Sequence, residues 1–350
     1  MRLSWVDALK GFAIILVVFG HVEQGYGESR LFPTEIGALQ MIWDFGHVFR
    51  MPLFFLLSGY LYEMTWNERR KISGGVIRKK FLDIGVLYLL FAVLFWLFKF
   101  IGGMTAHGLM AHSITIQDLL LIPICPFSYL WFLWVLALLF VAVPCLVKIC
   151  SHRILLVGLF SLGYLLPWQN WMDFGIFSGI SLLFYGGFYF VLGSYCRMKH
   201  FETAGLEIKR WMIPLSLMIC MGNCTAHLYF GGDIWPHPVH EAVIALAACY
   251  LIWYVFIAYW DKSSWPGDRF FQLCGQKSLE IYLLHMYLVG GLRAVFHKVG
   301  IENLWLLIAI GTVIAVLVPL GVALLADRWK WIHDIFHPAD WLWNRGILRE

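Results

Sequence analysis

The chain has 350 residues, of which 61% are hydrophobic and only 14% are charged. A soluble globular domain carries roughly 25% charged residues, so this composition excludes a water-soluble enzyme and indicates a surface that faces mainly lipid. We expect membrane lipids, and no nucleic acid, around a chain whose formal net charge is only +4.

Apolar runs of about 20 residues, the length that crosses a bilayer, follow one another along almost the whole chain. The polar gaps between them are too short to fold independently, so we expect one membrane domain over residues 1–350. The first run lacks a small-residue cleavage site and should remain as the first span. We predict an all-α, polytopic transmembrane bundle of about ten helices, near residues 8–22, 39–62, 81–101, 128–149, 153–167, 175–195, 211–229, 239–260, 278–296 and 304–326.

The Lys and Arg residues of the short connections set the orientation, because such residues are retained on the cytoplasmic side. Most of the 26 basic residues fall in alternate connections, which predicts that both termini are cytoplasmic. The inner connection 66–80 is strongly basic, whereas the predicted outer loop that begins near Glu23 is acidic. Its cluster of Arg78, Lys79 and Lys80 has two interpretations: a determinant of topology, or a docking surface for a cytosolic polyanion such as a nucleotide phosphate.

Polar side chains within the predicted spans are costly to bury and are therefore functional candidates. The first helix carries Asp7, Lys10 and His21 on one stripe, and Lys10 and His21 share a face about 16 Å apart. With the N-terminus inside, Lys10 lies at the cytosolic mouth and His21 lies deep or toward the outer side. The alternative is that Lys10 reaches back to the interface and that His21 caps the outer helix end.

The second predicted helix carries Asp44, His47 and Arg50, each three residues from the next and therefore on nearly one face. Arg50 keeps its proton at any ordinary pH. It must therefore face a carboxylate, such as Asp44 or Glu280, or bind a ligand anion.

Glu280, Tyr282 and His285 form a third cluster, on the ninth predicted helix. A histidine deep in a membrane cavity can act as a general base, taking a proton from an acceptor hydroxyl or amine while a thioester carbonyl is attacked. It needs a carboxylate or carbonyl to orient its ring, which Asp44 or Glu280 could supply. The alternative for this cluster is a purely structural polar network between helices.

The motifs of several other enzyme classes are absent from the sequence. It contains no Gly-x-Ser-x-Gly elbow, Walker loop, His-Glu-x-x-His motif or dinucleotide fingerprint, which leaves hydrolase, ATPase, zincin and oxidoreductase hypotheses without support. The eight cysteines lack the paired spacing of a zinc or redox site, so we expect no metal.

At the polar clusters the sequence resembles the membrane-bound acyltransferase family 3, a large group of bacterial inner-membrane O-acetyltransferases that act on glycans. Four blocks carry the resemblance, in the family's order and across the whole chain: Asp7 to Gly11 with Phe19 to His21, Arg50 to Tyr60, Tyr129 to Leu133 around Trp131, and Ser278 to His285. The family's pattern of a basic residue, ten residues and a histidine falls on Lys10 and His21.

The resemblance implies that His21 is catalytic and that Lys10 helps to hold the donor. It implies a multi-pass protein of the bacterial cytoplasmic membrane that moves an acyl group, acetyl above all, from acyl-CoA to a hydroxyl of a glycan or lipid-linked saccharide. Acyl-CoA is then a donor substrate, and no permanently bound cofactor is expected. The basic mouth of Lys10, Arg78, Lys79 and Lys80 could hold the nucleotide phosphates, with Arg50 also facing the donor.

Two hypotheses from other classes remain open. A transporter or flippase of an anionic glycan or lipid intermediate would also need buried Arg50, His21 and Glu280 beside a cavity. Paired half-repeats with broken helices would favour it, and the sequence has none. A non-catalytic subunit of an envelope assembly is the other possibility.

Overall fold

The computed structural model describes residues 3–27, 37–69, 74–105, 115–150, 152–166, 175–199, 211–230, 238–260, 267–301 and 303–338. Within these ranges the secondary structure is helical and contains no strand. The α-helices are α1 (Ser4–Gly27), α2 (Gly37–Arg69), α3 (Gly74–Thr105), α4 (Ile116–Leu121), α5 (Trp131–Ile149), α6 (Arg153–Tyr164), α7 (Gly175–Met198), α8 (Met212–Phe230), α9 (Pro238–Tyr259), α10 (Asp268–Gln276), α11 (Ser278–Val299), α12 (Leu304–Ala326) and α13 (Lys330–Phe336), and a 3₁₀ turn at Ser128–Leu130 precedes α5.

Each of the ten predicted apolar runs coincides with one of these helices, which confirms the all-α polytopic bundle. Among the described residues, seven helical stretches are long and apolar enough to cross a membrane: Ser4–Tyr26, Ile77–Gly102, Ser128–Ile149, Ser178–Met198, Pro238–Ala258, Ser278–Val299 and Leu304–Ala326. Two shorter apolar stretches, Arg153–Tyr164 and Met212–Ala226, accompany them. The count of ten spans and the cytoplasmic termini stay predictions.

Helix α1 lies at the centre of the bundle and packs against α2, α10, α11 and α12. Its closest neighbour is α10, a short helix that the sequence analysis did not predict. A Cβ atom on Gly11 would lie 1.8 Å from the carbonyl oxygen of Phe271, and one on Gly275 would lie 1.7 Å from that of Asp7. Glycine at both positions therefore allows direct backbone contact, which fixes the N-terminal part of α1 and with it Lys10.

A buried ion pair joins α2, α6 and α7 on the other side of the bundle. The Arg153 guanidinium donates to Glu63, with Nη2 3.0 Å from Oε2, and the Ser194 hydroxyl donates to the same oxygen at 2.6 Å. Arg153 is 4% exposed and Glu63 is 2% exposed. Because the charges are paired and hydrogen-bonded, they can stay in the interior, and breaking the pair would leave a buried charge without compensation.

Candidate active site

A cavity of about 370 Å³ lies between α2, α3, α5 and α11 and is closed at one side by α13. Its apolar wall is formed by helical faces, because lining residues recur every three or four positions. On α2 these are Met51, Phe54, Ser58, Leu61 with its neighbour Tyr62, and Thr65. Such a cavity suits a long, thin, mostly apolar group better than a compact polar one.

The two ends of the cavity differ in charge. Lys10, Lys80 and Asp83 line the end near the first turns of α1 and α3, which the basic connections predict to be cytoplasmic. The opposite end is lined by Phe132 and Tyr282, whose ring centroids lie 5.7 Å apart. A ligand with an anionic head and an apolar arm would therefore enter with its head at the basic end.

Beyond Tyr282 lies a pair of histidines from different helices, His21 of α1 and His285 of α11. Their ring centroids are 5.3 Å apart, and the ring of His285 lies 5.8 Å from that of Tyr282. His21 is half-buried and hydrogen-bonds with the side chain of Gln24, whereas His285 is fully buried. His21 is thus the member of the pair that a second substrate can reach.

The orientation of His285 is set by its own helix. Its Nδ1 lies 2.7 Å from the carbonyl oxygen of Tyr282 and 3.2 Å from that of Ile281. Carbonyl oxygens only accept hydrogen bonds, so Nδ1 carries the proton and Nε2 keeps its lone pair. Nε2 is buried and has no hydrogen-bond partner among the described residues.

Two tyrosines, Tyr282 and Tyr129, pack around His285, and only Tyr282 is among the predicted site residues. The Tyr282 hydroxyl donates to the carbonyl oxygen of Tyr129, and the Tyr129 hydroxyl donates to that of Leu283 at 2.8 Å. The Tyr129 ring lies 5.3 Å from His285 and 6.5 Å from His21. Tyr129 belongs to one of the four blocks of the family resemblance, but nothing in its own sequence context distinguishes it from the tyrosines that are common at the ends of membrane spans.

The segment before α5 is held inside the bundle by Tyr88 of α3. The Tyr88 hydroxyl donates 2.7 Å to the carbonyl oxygen of Ile122, lies 3.1 Å from that of Cys125, and accepts from the amide of Phe127 at 3.1 Å. Ser128 follows in a left-handed conformation with φ of 49°. This anchored turn delivers Tyr129 to the histidine pair.

Arg50 is buried, at 7% exposure, and lies against α1 close enough to His21 to act on it electrostatically. Its Nη1 donates to the carbonyl oxygen of Leu16 at 3.3 Å. A Cβ atom on Gly20 would lie 1.0 Å from Nη1, so the guanidinium occupies the space that this glycine leaves. Arg50 is not among the residues that line the described cavity, contrary to its expected place beside the donor.

The carboxylates lie differently from the sequence expectation. Glu280, expected to orient a histidine, is buried and pairs with Lys277 at 3.7 Å. The physical reason is helical geometry: five residues turn the chain by about 140° from the face of His285. Among the described carboxylates, Glu23 acts electrostatically on Arg50, and it is buried within α1 and not in an outer loop.

The remaining carboxylates are Asp7 and Asp44. Asp7 is buried at the junction with α10, where Gln276 Nε2 lies 3.5 Å from its Oδ2. The side chain of Asp44 lies outside the described residues, although its backbone belongs to α2.

Four further residues predicted for the site do not line the cavity: His47, Arg78, Lys79 and Trp131. His47 is exposed and acts electrostatically on His21. Arg78 is exposed and Lys79 half-buried, and of the basic cluster on α3 only Lys80 lines the cavity. Trp131 packs instead with Phe55 and Tyr185, at ring-centroid distances of 6.0 and 6.2 Å.

Comparison with known proteins gives one match. A family model with the description "Acyltransferase domain" (Acyl_transf_3) matches residues 3–324. No curated protein and no solved structure matches the chain. The family match spans the histidine pair, Arg50 and the cavity lining except Phe336 and His337.

Proposed function

The chain belongs to acyltransferase family 3, and from that premise we propose that it transfers an acetyl group from cytosolic acetyl-CoA to a hydroxyl of a glycan or lipid-linked saccharide. The acceptor would meet the enzyme at the outer side of the bacterial cytoplasmic membrane. The family supports membrane acyltransferase activity, and the donor, the acceptor and the catalytic residues are our proposal.

One observation carries this proposal: the apolar cavity begins between Lys10 and Lys80 and ends at Tyr282, one ring away from the pair of His285 and His21. Acyl-CoA has a polyanionic nucleotide at one end, a long thin arm, and the thioester at the other end. The cavity has matching parts in the same order, with ammonium groups at its mouth and a candidate base beyond its deep end.

In this arrangement the nucleotide phosphates contact Lys10 and Lys80, and Arg78 and Lys79 add a favourable field at the mouth. The arm runs along the α2 face that includes Ser58 and Leu61. The acyl carbon then lies near Tyr282, and the donor's head stays in the cytosol.

His21 acts as the general base. It takes the proton of the acceptor hydroxyl as the oxygen forms its bond to the acyl carbon, and the carbon–sulfur bond breaks as the tetrahedral intermediate collapses. Arg50 lies near His21 with its charge buried, so it can stabilise the oxyanion of that intermediate. A buried guanidinium is worth more in this role than an exposed one, because the surroundings screen it less.

Purified protein in sealed proteoliposomes separates this function from transport. We expect free thiol to appear from acetyl-CoA, in step with acetyl groups on an added saccharide acceptor. Acetyl-CoA should act as the donor only when it is added on the side of the membrane where Lys10 and Lys80 open to water. Movement of a labelled saccharide or lipid across the bilayer, without thiol release, would contradict the proposal and favour a flippase.

A further inference from the structure

His285 carries a chemical group that the proposed reaction does not yet use. Its Nε2 lone pair is buried, has no hydrogen-bond partner among the described residues, and belongs to a side chain with 0% exposure. An unpaired acceptor in the interior is costly, so its retention beside a candidate active site requires an explanation.

His285 contacts residues on both the acceptor side and the donor side of the proposed site. On one side its ring faces His21, at 5.3 Å between centroids. On another it faces Tyr282, at 5.8 Å, and Tyr282 lines the deep end of the cavity. The ring of Tyr129 lies nearly perpendicular to the imidazole, at 5.3 Å between centroids. His285 therefore packs against both the proposed base and a residue that lines the donor cavity.

Acyl transfer from a thioester frees one proton at the acceptor and takes up one proton at the leaving group. The acceptor hydroxyl loses its proton at His21, while the departing sulfur becomes a thiolate at the end of the cavity. Transfer of the proton from His21 to the sulfur returns the site to its starting state without exchange with water.

We propose that His285 is a catalytic residue that carries this proton from His21 to the thiolate leaving group. Nε2 takes the proton from the imidazolium of His21, and Nδ1–H stays hydrogen-bonded to the Tyr282 carbonyl. Nε2 then gives the same proton to the sulfur as the carbon–sulfur bond breaks, so thiol leaves and both histidines are neutral again. This inference rests on the proposed function, because it needs a thioester donor.

A structural role for His285 predicts different behaviour. If the imidazole only ties α11 to its own carbonyl groups, the important atom is Nδ1, and an asparagine amide can reproduce that bond. His285→Asn keeps a donor near the Tyr282 carbonyl and lacks any group that can take a proton at Nε2. This variant therefore separates the two roles.

The leaving group supplies the second comparison. A selenoester analogue of acetyl-CoA keeps the nucleotide, the arm and nearly the same shape, but it releases a selenolate, which is a much weaker base than a thiolate. Departure of a selenolate at neutral pH needs no proton. Loss of a proton donor should therefore slow the thioester strongly and the selenoester weakly.

We expect His285→Asn to lower kcat for acetyl-CoA about a hundredfold or more, to leave the KM for the donor near that of the wild type, and to lower kcat for the selenoester less than about tenfold. His285→Gln repeats the measurement with a second side chain, so poor folding of one variant does not decide the result. Equal losses with both donors, or near-wild-type transfer by His285→Asn, would overturn the inference. Wild-type protein that releases neither thiol nor selenol would instead contradict the proposed function itself.

Discussion

Replacement of Gly20 by alanine tests the position of Arg50 without touching Arg50. The new methyl group would lie 1.0 Å from Nη1, and ordinary contacts begin near 3.4 Å, so the guanidinium must retreat by about 2 Å. That movement breaks the 3.3 Å hydrogen bond to the Leu16 carbonyl. The displaced guanidinium then also loses its hydrogen bond to the oxyanion. A hydrogen bond to a charged group contributes about 1.5–3 kcal/mol, and a loss of that size in the transition state alone slows the reaction about tenfold to a hundredfold.

The assay is acetyl transfer by purified Gly20→Ala protein, with thermal unfolding in detergent measured alongside. Gly291→Ala on α11 is the matched control, because a Cβ atom there meets nothing within 4 Å. Arg50→Lys and the double variant complete the comparison. Both changes act on the same guanidinium, so the double variant should be no slower than the slower single variant. Full activity and unchanged stability in Gly20→Ala, or additive losses in the double variant, would refute the placement of Arg50 in the reaction.

Three further predictions concern the mouth, the cavity and the ion pair. Lys80→Gln should raise the KM for acetyl-CoA about threefold to fivefold, in a salt-sensitive way, and Arg78→Gln, at a position that does not line the cavity, should raise it less; an equal effect of both would point to a general field and not to contact at the mouth. Ser58→Phe should place a phenyl ring in the cavity and abolish donor binding, whereas Leu162→Phe, at a 69% exposed position, should leave it unchanged. Donor binding by Ser58→Phe would show that the arm of acetyl-CoA lies elsewhere. Arg153→Met should lower the free energy of unfolding by about 3–5 kcal/mol and leave the donor KM unchanged, and a variant as stable as the wild type would contradict the buried pairing.

The helices themselves were predictable from hydrophobic runs, because a membrane span is a long and nearly uninterrupted signal. The short α10 was not, since its nine amphipathic residues are far too few to appear in a search for apolar runs of membrane-spanning length. Its importance lies in the backbone contact between Gly275 of α10 and Gly11 of α1, which only the packed structure reveals. The stripe of Lys10 and His21 on α1 was predicted from spacing alone, and the structure places Lys10 on the cavity and His21 beside its deep end.

The partners of the site residues could not be read from the sequence, because they belong to different helices. Spacing within one helix could not predict that His285 contacts His21, or that Glu23 is a described carboxylate that acts on Arg50. Helical spacing does predict one of these differences: Glu280 and His285 are five residues apart and therefore lie on different faces of α11.

In the proposed reaction His21 is the general base of acyl transfer from acyl-CoA. The most direct test of this role is the rate of acetyl transfer by purified His21→Gln protein, beside His297→Gln as a control at an exposed position of α11. We predict that His21→Gln binds acetyl-CoA as the wild type does, but transfers at least about a hundredfold more slowly, with the control unaffected. Transfer by a well-folded His21→Gln protein at the wild-type rate would contradict the account.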